Sequence, residues 1–219
     1  MTTPTPVPDP VPPLFSSRAV ALVAHTPWKA LNEIRRLWLL PWARLYFAAV
    51  GVAWGIDWKI YGLPIIQKYR PSTLVIGAGA ELRSTARSNP LGPTHPVILS
   101  TRRANARLVI GANFGMTGGT ICADESIIIG DRVIVGANVT ITDTDFHPLD
   151  PVQRRIDPLA GATRPVIIGD DVFIGMNCLI LKGVRIGAGS VIGAGSVVTH
   201  DVEPGVIAAG NPARTIRPL

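Results

Sequence analysis

The chain has 219 residues, of which 21 are Lys or Arg and 15 are Asp or Glu, so its formal net charge is +6. Charged residues make up 16% and hydrophobic residues 47% of the sequence, a balance that excludes a fully disordered acidic or basic tail protein. Two cysteines are too few for a disulfide scaffold or a zinc ribbon, so we expect a reducing, cytoplasmic compartment.

The composition of residues 1–25 predicts a disordered, proline-rich arm. Six of the first 13 residues are proline, and little else among them could pack. No apolar core led by Lys or Arg and closed by a small-residue cleavage site follows, so we do not expect a signal peptide.

Residues 26–70 predict a helical segment. Thr26 and Pro27 suit the start of a helix, because the first helical residue has no intrahelical partner for an amide hydrogen. Pro41 is expected to interrupt this helix, and a second apolar stretch runs over residues 45–56. That stretch is shorter than the ~18–20 apolar residues that a membrane-spanning helix needs.

Two interpretations of residues 28–58 remain open. They form a helical hairpin that packs on the main domain or on a neighbouring subunit, or they form an interfacial helix that contacts a membrane peripherally. The second interpretation, which would associate a cytoplasmic protein with a membrane, rests on tryptophans near Arg and Lys. These tryptophans are Trp28, Trp38, Trp42, Trp54 and Trp58.

Residues 71–219 carry an internal repeat with a period of six. An aliphatic residue, often followed by Gly, recurs in one phase at Ile168, Ile174, Ile180, Ile186, Ile192 and Val198. Two runs in other phases hold Ile110, Met116, Cys122 and Ile128, and Ile129, Val135 and Ile141. A small or aliphatic residue four places later recurs at Val133, Val139, Val172, Cys178, Val184, Ser190 and Ser196.

This period fits neither an α-helix nor a simple strand, whereas three such repeats form one triangular coil of about 18 residues. Each side of the coil is a short strand that stacks ~4.8 Å from the parallel strand of the next coil. The aliphatic residue points into the prism, and the Gly or Asp after it helps the chain to turn. Strands of a sandwich would instead alternate with polar hairpin turns. We therefore predict an all-β parallel β-helix with both cysteines in its core.

Two segments, residues 83–107 and 143–165, interrupt the repeat and are predicted to be loops. Insertions in a solenoid leave the stack as loops on one edge, where function often lies. The second loop carries His147, which follows the last inward-pointing residue of a coil, Ile141. Of the four histidines, His147 is the best placed for acid–base chemistry.

Three features together resemble the hexapeptide-repeat acyltransferases. They are the repeats over residues 74–203, the loop opening Asp-Phe-His-Pro-Leu-Asp-Pro at residues 145–151, and a C-terminal run over residues 192–214. The loop opening is similar to that of the maltose and galactoside O-acetyltransferases, and the chain also resembles polysaccharide-biosynthesis O-acetyltransferases. The resemblance implies a left-handed β-helix and a homotrimer with sites shared between neighbours. It further implies transfer of an acetyl group from acetyl-CoA to a sugar or glycan precursor, without a metal.

The resemblance also implies roles for residues around the acceptor. His147 matches the family's catalytic histidine, whose imidazole takes the proton of the acceptor hydroxyl as its oxygen attacks the thioester. Asp124 matches an acceptor-binding aspartate, and an Asp that merely turns the corner is an equal alternative. For the family's site asparagine, a literal match gives Asn113, whereas counting repeats leads to Met116 and Thr117.

By the same resemblance, the C-terminal part of the chain forms a CoA-binding tail. Ala194 matches a backbone contact to the pantetheine arm, and Met176 lies 18 residues earlier, one coil below. Arginine carries a fork of donors that suits the phosphates of CoA. The positions expected to bind CoA are Met176, Ala194, Thr199, His200, Arg214 and Arg217, with His200 standing where the family commonly has Lys.

Several other functions remain open or are disfavoured. An N-acetyltransferase of an amino sugar and a non-catalytic hexapeptide-repeat assembly subunit both stay open. A gamma-class carbonic anhydrase needs three histidines converging on zinc, but the four here are far apart in the sequence. Scattered Arg without a basic helix or recognition motif gives no support to a nucleic-acid partner. The arginine-containing loop at residues 83–107 favours an acceptor larger than a monosaccharide.

Overall fold

The computed structural model describes residues 24–219. The predicted proline-rich arm therefore lies, through residue 23, outside the described residues. Within them, one long helix, α1 (Pro27–Ala49), precedes a stack of short strands. A 3₁₀ turn (Ala86–Ser88) and a short helix, α2 (Pro151–Ile156), lie in the two loops that interrupt the stack.

The described strands form three sheets, called A, B and C here, and successive turns of the chain add strands to each sheet in that order. Sheet A contains β1 (Lys59–Tyr61), β4 (Glu81–Arg83), β7 (Gly115–Thr117), β10 (Ile134–Val135), β13 (Phe173–Ile174), β16 (Val191–Ile192), β18 (Val206–Gly210) and β19 (Ala213–Pro218). Sheet B contains β2 (Ile65–Lys68), β5 (Ile98–Thr101), β8 (Thr120–Ala123), β11 (Thr140–Thr142), β14 (Leu179–Ile180) and β17 (Val197–Val198). Sheet C contains β3 (Thr73–Ile76), β6 (Arg107–Ile110), β9 (Ser126–Ile129), β12 (Val166–Ile168) and β15 (Arg185–Ile186).

Neighbouring strands are parallel, apart from the antiparallel pair β18 and β19 at the end of sheet A. In sheet B, for example, Ile141 pairs with Ile121 in the coil below and with Ile180 in the coil above. The coils on either side thus satisfy backbone groups that a short strand cannot pair by itself. This arrangement confirms the predicted parallel β-helix with an N-terminal helix, and it is consistent with the left-handed sense that the resemblance implies.

The predicted repeat residues of the longest run form the core of the prism. Its aliphatic members, from Ile168 to Val198, are between 0 and 2% exposed. The residues four places later are buried too, and the hydroxyls among them are satisfied. Ser190 Oγ donates to the Glu203 carbonyl at 2.7 Å, and Ser196 Oγ donates to the Gly193 carbonyl at 2.6 Å.

Cys122 is buried as predicted, at 6% exposed, but neither Cys122 nor Ile128 points into the prism, so that part of the prediction is wrong. Ile121 and Ile129 are the inward-pointing residues, while Cys122 lies on the outer surface of sheet B. The inward positions are separated by five residues from Met116 to Ile121 and by eight from Ile121 to Ile129. Neighbouring residues of a strand point to opposite sides, so a slip of one position turns a side chain outwards.

The β-helix begins earlier than the predicted boundary at residue 71. Strand β1 already pairs with β4, and β2 pairs with β5. Ile60 and Ile66 are buried and six positions apart, but neither is followed by the Gly that marks later repeats. The helix accordingly ends at Ala49, and residues 59–76 form the first coil.

The predicted helical hairpin is wrong, because α1 continues through Pro41. Pro41 lies on the exposed side of the helix, where water can bond to the carbonyl that loses its amide partner. On the opposite side Phe47 packs edge-on against Trp54 and Trp58, with ring centroids 5.5 and 5.2 Å apart. The helix thereby closes the N-terminal end of the prism. No helix within residues 24–219 has the length and apolar character to cross a membrane.

The two interrupting loops leave the prism at different corners. The first is shorter than predicted, because β5 and β6 belong to the stack and only residues 84–97 leave it. This loop leaves at the corner between sheets A and B. Residues 143–165 leave at the corner between sheets B and C, over the predicted length.

Candidate active site

The second loop is held at its base by Asp143. The buried carboxylate accepts hydrogen bonds from the backbone N–H groups of Asp124, Glu125 and Ser126, at 2.7, 2.8 and 2.7 Å. Burial raises the pKa of the Asp143 carboxyl group, and the three N–H donors act in the opposite direction. The loop is thus tied to the B–C corner of the coil below.

The neck of the loop places the segment before His147. Thr144 and Thr163 form an antiparallel bridge across the neck. Gly161 packs on the backbone of Phe146, where a Cβ would lie 2.6 Å from the Phe146 carbonyl carbon. Such a close approach needs glycine, so Gly161 helps to fix the chain at the point where His147 begins.

His147 has one ring nitrogen already bonded. Its Nδ1 lies 2.5 Å from the carbonyl oxygen of Pro158, and since a carbonyl only accepts, Nδ1 carries the proton. Nε2 of the neutral ring then has a free lone pair, which can accept a proton. The bond at Nδ1 also orients the ring, an arrangement found in bases that are positioned by a third group. The side chain is exposed and can be reached by a substrate.

A cleft of about 370 Å³ lies between His147 and the outer surface of sheet B. Its wall includes a column of outward-pointing residues, in which Gln67 pairs with Ser100 and Ser100 pairs with Cys122. The other lining residues are Ile98, Arg102, Thr120 and Phe146. The cleft combines a candidate base with polar groups and apolar surface, a combination that suits a small polar substrate.

Gln67, Ser100, Arg102 and Cys122 line the cleft, although the sequence does not single them out as site residues. The first three lie in segments for which the sequence predicts helix or loop, and the repeat predicts Cys122 inside the prism. A usable signal was present, because Ile121 continues the inward-pointing series and leaves its neighbour Cys122 on the outer surface. Burial raises the pKa of the Cys122 thiol, which therefore stays protonated at neutral pH.

Asp124 lies behind the cleft wall. Its side chain is 2% exposed and pairs with Arg102 at 3.6 Å and with Arg103 at 3.3 Å. Arg102 in turn lies over the Phe146 ring, with the guanidinium carbon 4.9 Å from the ring centroid. Asp124 therefore does not line the cleft itself, but it pairs with Arg102, which does. The corner itself is held by the carboxylate of Asp143, which accepts from the backbone N–H of Asp124.

The candidates for the site asparagine lie away from His147. Asn113 is exposed at the corner between sheets C and A, with a left-handed φ of 56° that asparagine tolerates better than most residues. Met116 points into the core, and Thr117 is buried with its hydroxyl 3.2 Å from Asn89 Nδ2. Within the described chain, none of these candidates lines the cleft.

Four of the six residues expected to bind CoA divide between two edges of sheet B. Met176 and Ala194 stack at the A–B corner, where Gly175 lets the coils approach, since a Cβ on it would lie 2.5 Å from the Ala194 nitrogen. Thr199 and His200 lie at the B–C corner, with Thr199 Oγ1 hydrogen-bonded to His200 Nδ1 at 2.7 Å. Only the second pair lies on the side of the loop at residues 143–165.

Arg214 and Arg217 lie on β19, beyond the last coil. Both are exposed, and each donates to a nearby backbone carbonyl, of Ala213 and Pro218 respectively. Neither arginine has an ion pair in the part of the chain that the structure describes. Both guanidinium groups are therefore available to an anion.

Two further side chains, Lys182 and Arg103, link the loop to neighbouring coils. Lys182 Nζ lies 3.4 Å from Asp145 Oδ2, and Arg103 Nη2 donates to the Leu159 carbonyl at 3.3 Å. These contacts link the loop to the coils above and below it. From residue 24 onward, no three His, Cys, Asp or Glu side chains come together as a metal site would need.

Known proteins resemble the repeat-bearing part of this chain. A family model described as the hexapeptide repeat of succinyl-transferase matches residues 108–143 and 165–200, on either side of the second loop. The galactoside O-acetyltransferase of Escherichia coli strain K12 is 44% identical over 108 residues, which are 49% of this chain and 50% of that protein. The galactoside O-acetyltransferase of Lactococcus lactis is 42% identical over 110 residues, which are 50% of each protein.

A solved structure extends the likeness to most of the chain. A hexapeptide-repeat-containing acetyltransferase of Vibrio cholerae, determined in complex with acetyl coenzyme A, is 26% identical with a TM-score of 0.50. That match covers 94% of this chain and 92% of the other. The chain spans about half the length of the curated relatives it matches. Repeats, fold and relatives agree in their likeness to the hexapeptide-repeat acyltransferases.

Proposed function

We propose that this protein is an O-acetyltransferase that moves an acetyl group from acetyl-CoA to a hydroxyl of a sugar or glycan precursor. The observation that carries the proposal is His147, whose Nδ1 is held by the Pro158 carbonyl while Nε2 is free to take a proton. The two galactoside O-acetyltransferases support the acceptor class by their names. The Vibrio cholerae acetyltransferase, solved with acetyl coenzyme A, supports the donor.

In the proposed reaction His147 is the general base. Nε2 takes the proton of the acceptor hydroxyl while its oxygen forms a bond to the thioester carbonyl carbon. The carbon–sulfur bond breaks, the acetyl group stays on the acceptor oxygen, and the imidazolium returns its proton to the sulfur. A sugar hydroxyl has a pKa far above 7, so a positioned base contributes about 10²–10⁴ to the rate. The negative charge that develops on the carbonyl oxygen needs a fixed donor such as a backbone N–H.

The wall opposite His147 supports an acceptor rich in hydroxyl groups. Gln67 and Ser100 offer amide and hydroxyl groups that both donate and accept. Phe146 supplies an apolar surface against which a sugar ring can pack, and Arg102 presents its guanidinium beside that ring. We assign acceptor binding to this wall.

We also propose a homotrimer in which each site is shared between two copies. In one chain His147 lies at the B–C corner, whereas Met176 and Ala194 lie at the A–B corner of the same sheet. A threefold axis parallel to the prism brings the A–B corner of one copy beside the B–C corner of the next, which reunites these groups. The loop at residues 84–97 also lies at the A–B corner and would then extend the acceptor side, in keeping with an acceptor larger than a monosaccharide.

The assembly is tested by light scattering and by complementation. We expect a trimer at assay concentrations, and an active monomer would contradict the proposal. His147→Ala and Ala194→Trp are each expected to be inactive, because one lacks the base and the other fills the CoA position. Refolded together, the two variants recover activity only where an intact His147 and an intact Ala194 from different copies meet in one site.

The activity is tested by an acceptor screen that follows release of free CoA from acetyl-CoA. Simple sugars, nucleotide-linked sugars, oligosaccharide fragments and amino sugars are compared, with His147→Ala as the control for background hydrolysis. We expect turnover with hydroxyl acceptors that depends on His147. Turnover confined to amino sugars would replace the proposal with an N-acetyltransferase, and turnover with none of them would favour an assembly subunit.

A further inference from the structure

Among residues 24–219, the outer face of α1 takes no part in the core. The opposite face packs on the prism, where Ala43 and Phe47 are buried. The Tyr46 hydroxyl also accepts a hydrogen bond from the Ile66 N–H at 2.9 Å. The helix therefore closes the prism without using its outer face.

This outer face, called the tryptophan face here, is apolar along the whole helix. Its seven large apolar side chains are between 44 and 79% exposed. They are Trp28, Leu31, Ile34, Leu37, Trp38, Trp42 and Leu45. A continuous apolar stripe of this kind marks an interaction surface, because soluble proteins rarely leave one uncovered.

The charges beside the tryptophan face are positive. Lys29, Arg35 and Arg87 line a cavity of about 720 Å³ next to Trp28. None of the three cations has an ion pair in the described part of the chain. The acid beside them, Glu33, is already engaged, because it accepts from the Tyr61 hydroxyl and pairs with Arg36 at 2.8 Å. An apolar stripe edged by unpaired cations complements a surface that is apolar inside and anionic outside.

We propose that the tryptophan face binds the surface of an anionic phospholipid bilayer, with α1 lying in the plane of the interface. Tryptophan favours this region, since its ring enters the acyl boundary while the indole N–H meets the headgroups. Arg35, on the same side of the helix as Trp28 and Trp42, then faces the lipid phosphates, and Lys29 and Arg87 add positive charge at the N-terminal end of the helix. A second copy is a poorer occupant, because it would bring the same unpaired cations towards each other.

Vesicle sedimentation with the full chain tests the proposal. The protein is mixed with vesicles of phosphatidylcholine alone or of phosphatidylcholine with phosphatidylglycerol, at low and high salt. We expect binding to the anionic vesicles that weakens with salt. Trp38→Ser and Trp42→Ser should each lower the partition coefficient by roughly tenfold or more, and Arg35→Gln by roughly fivefold. Ile216→Ser, an equally exposed apolar site on β19 at the other end of the prism, should leave it unchanged.

Three results would overturn the proposal. The first is the absence of binding to either vesicle. The second is that Ile216→Ser reduces binding as much as Trp38→Ser does. The third is that, in light scattering without lipid, the Trp38→Ser protein has a smaller particle mass than the parent protein. The last result would assign the face to a second copy. Acetyl transfer to a soluble acceptor is independent of this face, so both tryptophan variants should retain it. Failure of membrane binding is thereby distinguished from failure of the proposed activity.

Discussion

The prism is built by two groups of coils that differ in their sequence pattern. The first group comprises residues 59–129 and the second comprises residues 134–198. In the second group the inward-pointing residues follow every six positions, apart from the one long loop. In the first group the spacing varies, with steps of five and eight around Ile121. The sheets nonetheless run through both groups without a break in pairing. The register between coils therefore tolerates corners of different length.

The irregular coils provide most of the cleft. Its wall on sheet B comes from β2, β5 and β8, and only Phe146 and His147 come from the loop that the regular coils carry. A corner of minimal length contains only the residues that turn the chain, whereas a longer corner has additional side chains, such as Arg102, that can line the cleft. The comparison indicates that regular repeats set the geometry and that departures from them supply the chemistry.

The largest effect is expected for a change in the loop at residues 143–165, which the regular coils carry. His147→Ala should lower kcat by about 10²–10⁴, because the acceptor proton loses its base. Binding of acetyl-CoA, measured by calorimetry, should be nearly unchanged. Leu149→Ala, an exposed change in the same loop, is the matched control. Full turnover by the His147 variant would remove the loop from the catalytic site.

The next largest effect is expected where the irregular coils depart from the six-residue spacing, at Ile121 and Cys122. Ile121→Ala should lower the free energy of unfolding by about 2–5 kcal/mol, because it opens a cavity in the core. Cys122→Ala, one position away on the outer side of sheet B, should lower it by only about 1 kcal/mol, because it removes one sulfur that lines the cleft and leaves the core intact. Urea unfolding of both variants measures the difference. Equal losses would mean that the two side chains share the core.

Two glycines compare a regular corner, at Gly175, with a strand of the irregular coils, at Gly115. A Cβ at Gly175 would lie 2.5 Å from the Ala194 nitrogen, whereas a Cβ at Gly115 meets nothing within 4 Å. Gly175→Ala should therefore destabilise the protein by about 1–3 kcal/mol. Gly115→Ala should be neutral or stabilising by up to about 1 kcal/mol, since it restricts the unfolded chain. Thermal unfolding of the pair checks the prediction, which a loss at Gly115 as large as that at Gly175 would refute.

A smaller effect, on acetyl-CoA binding, is expected on β19, the strand that follows the last coil. Arg214→Ala and Arg217→Ala should each raise the KM for acetyl-CoA about three- to tenfold and leave the acceptor KM largely alone. The effect should shrink at high salt, because exposed charges are screened. Arg70→Ala, an exposed arginine near the first coil, serves as the control. If the acceptor KM rises instead, these arginines do not bind the phosphates.

The smallest effect concerns the contact between α1 and the first, irregular coil. Burial raises the pKa of Glu33, but its hydrogen bonds to Tyr61 and Arg36 outweigh burial and hold the pKa below its ordinary value of 4.5. A lowered pKa in the folded state adds stability that is present above the unfolded value and is lost as the pH falls through the folded pKa. Glu33→Gln should therefore make unfolding less sensitive to pH below about 4.5. The change is small because Glu33 is 47% exposed and screened by water. An unchanged pH profile of urea unfolding would contradict it.

The sequence predicted the regular coils almost residue by residue. Ile174, Ile180 and Ile186 lie in the core as their spacing indicates, since a side chain every six residues faces inward whenever the corners are equal. It predicted the irregular coils poorly, because Ile60 and Ile66 lack the following Gly that makes a repeat visible. It also predicted a break in α1 at Pro41, where an exposed carbonyl tolerates the missing hydrogen bond.

By itself, then, the sequence determined the β-helix and the position of His147 in a long corner, because both follow from spacing along the chain. Only the tertiary structure decided that Gln67, Ser100 and Cys122 form one wall. They are brought together by the register between strands far apart in sequence, and a corner longer or shorter by one residue would turn each of them to the other side. The bond between His147 Nδ1 and the Pro158 carbonyl was likewise decided by the fold of the loop, because no local pattern links residues eleven positions apart.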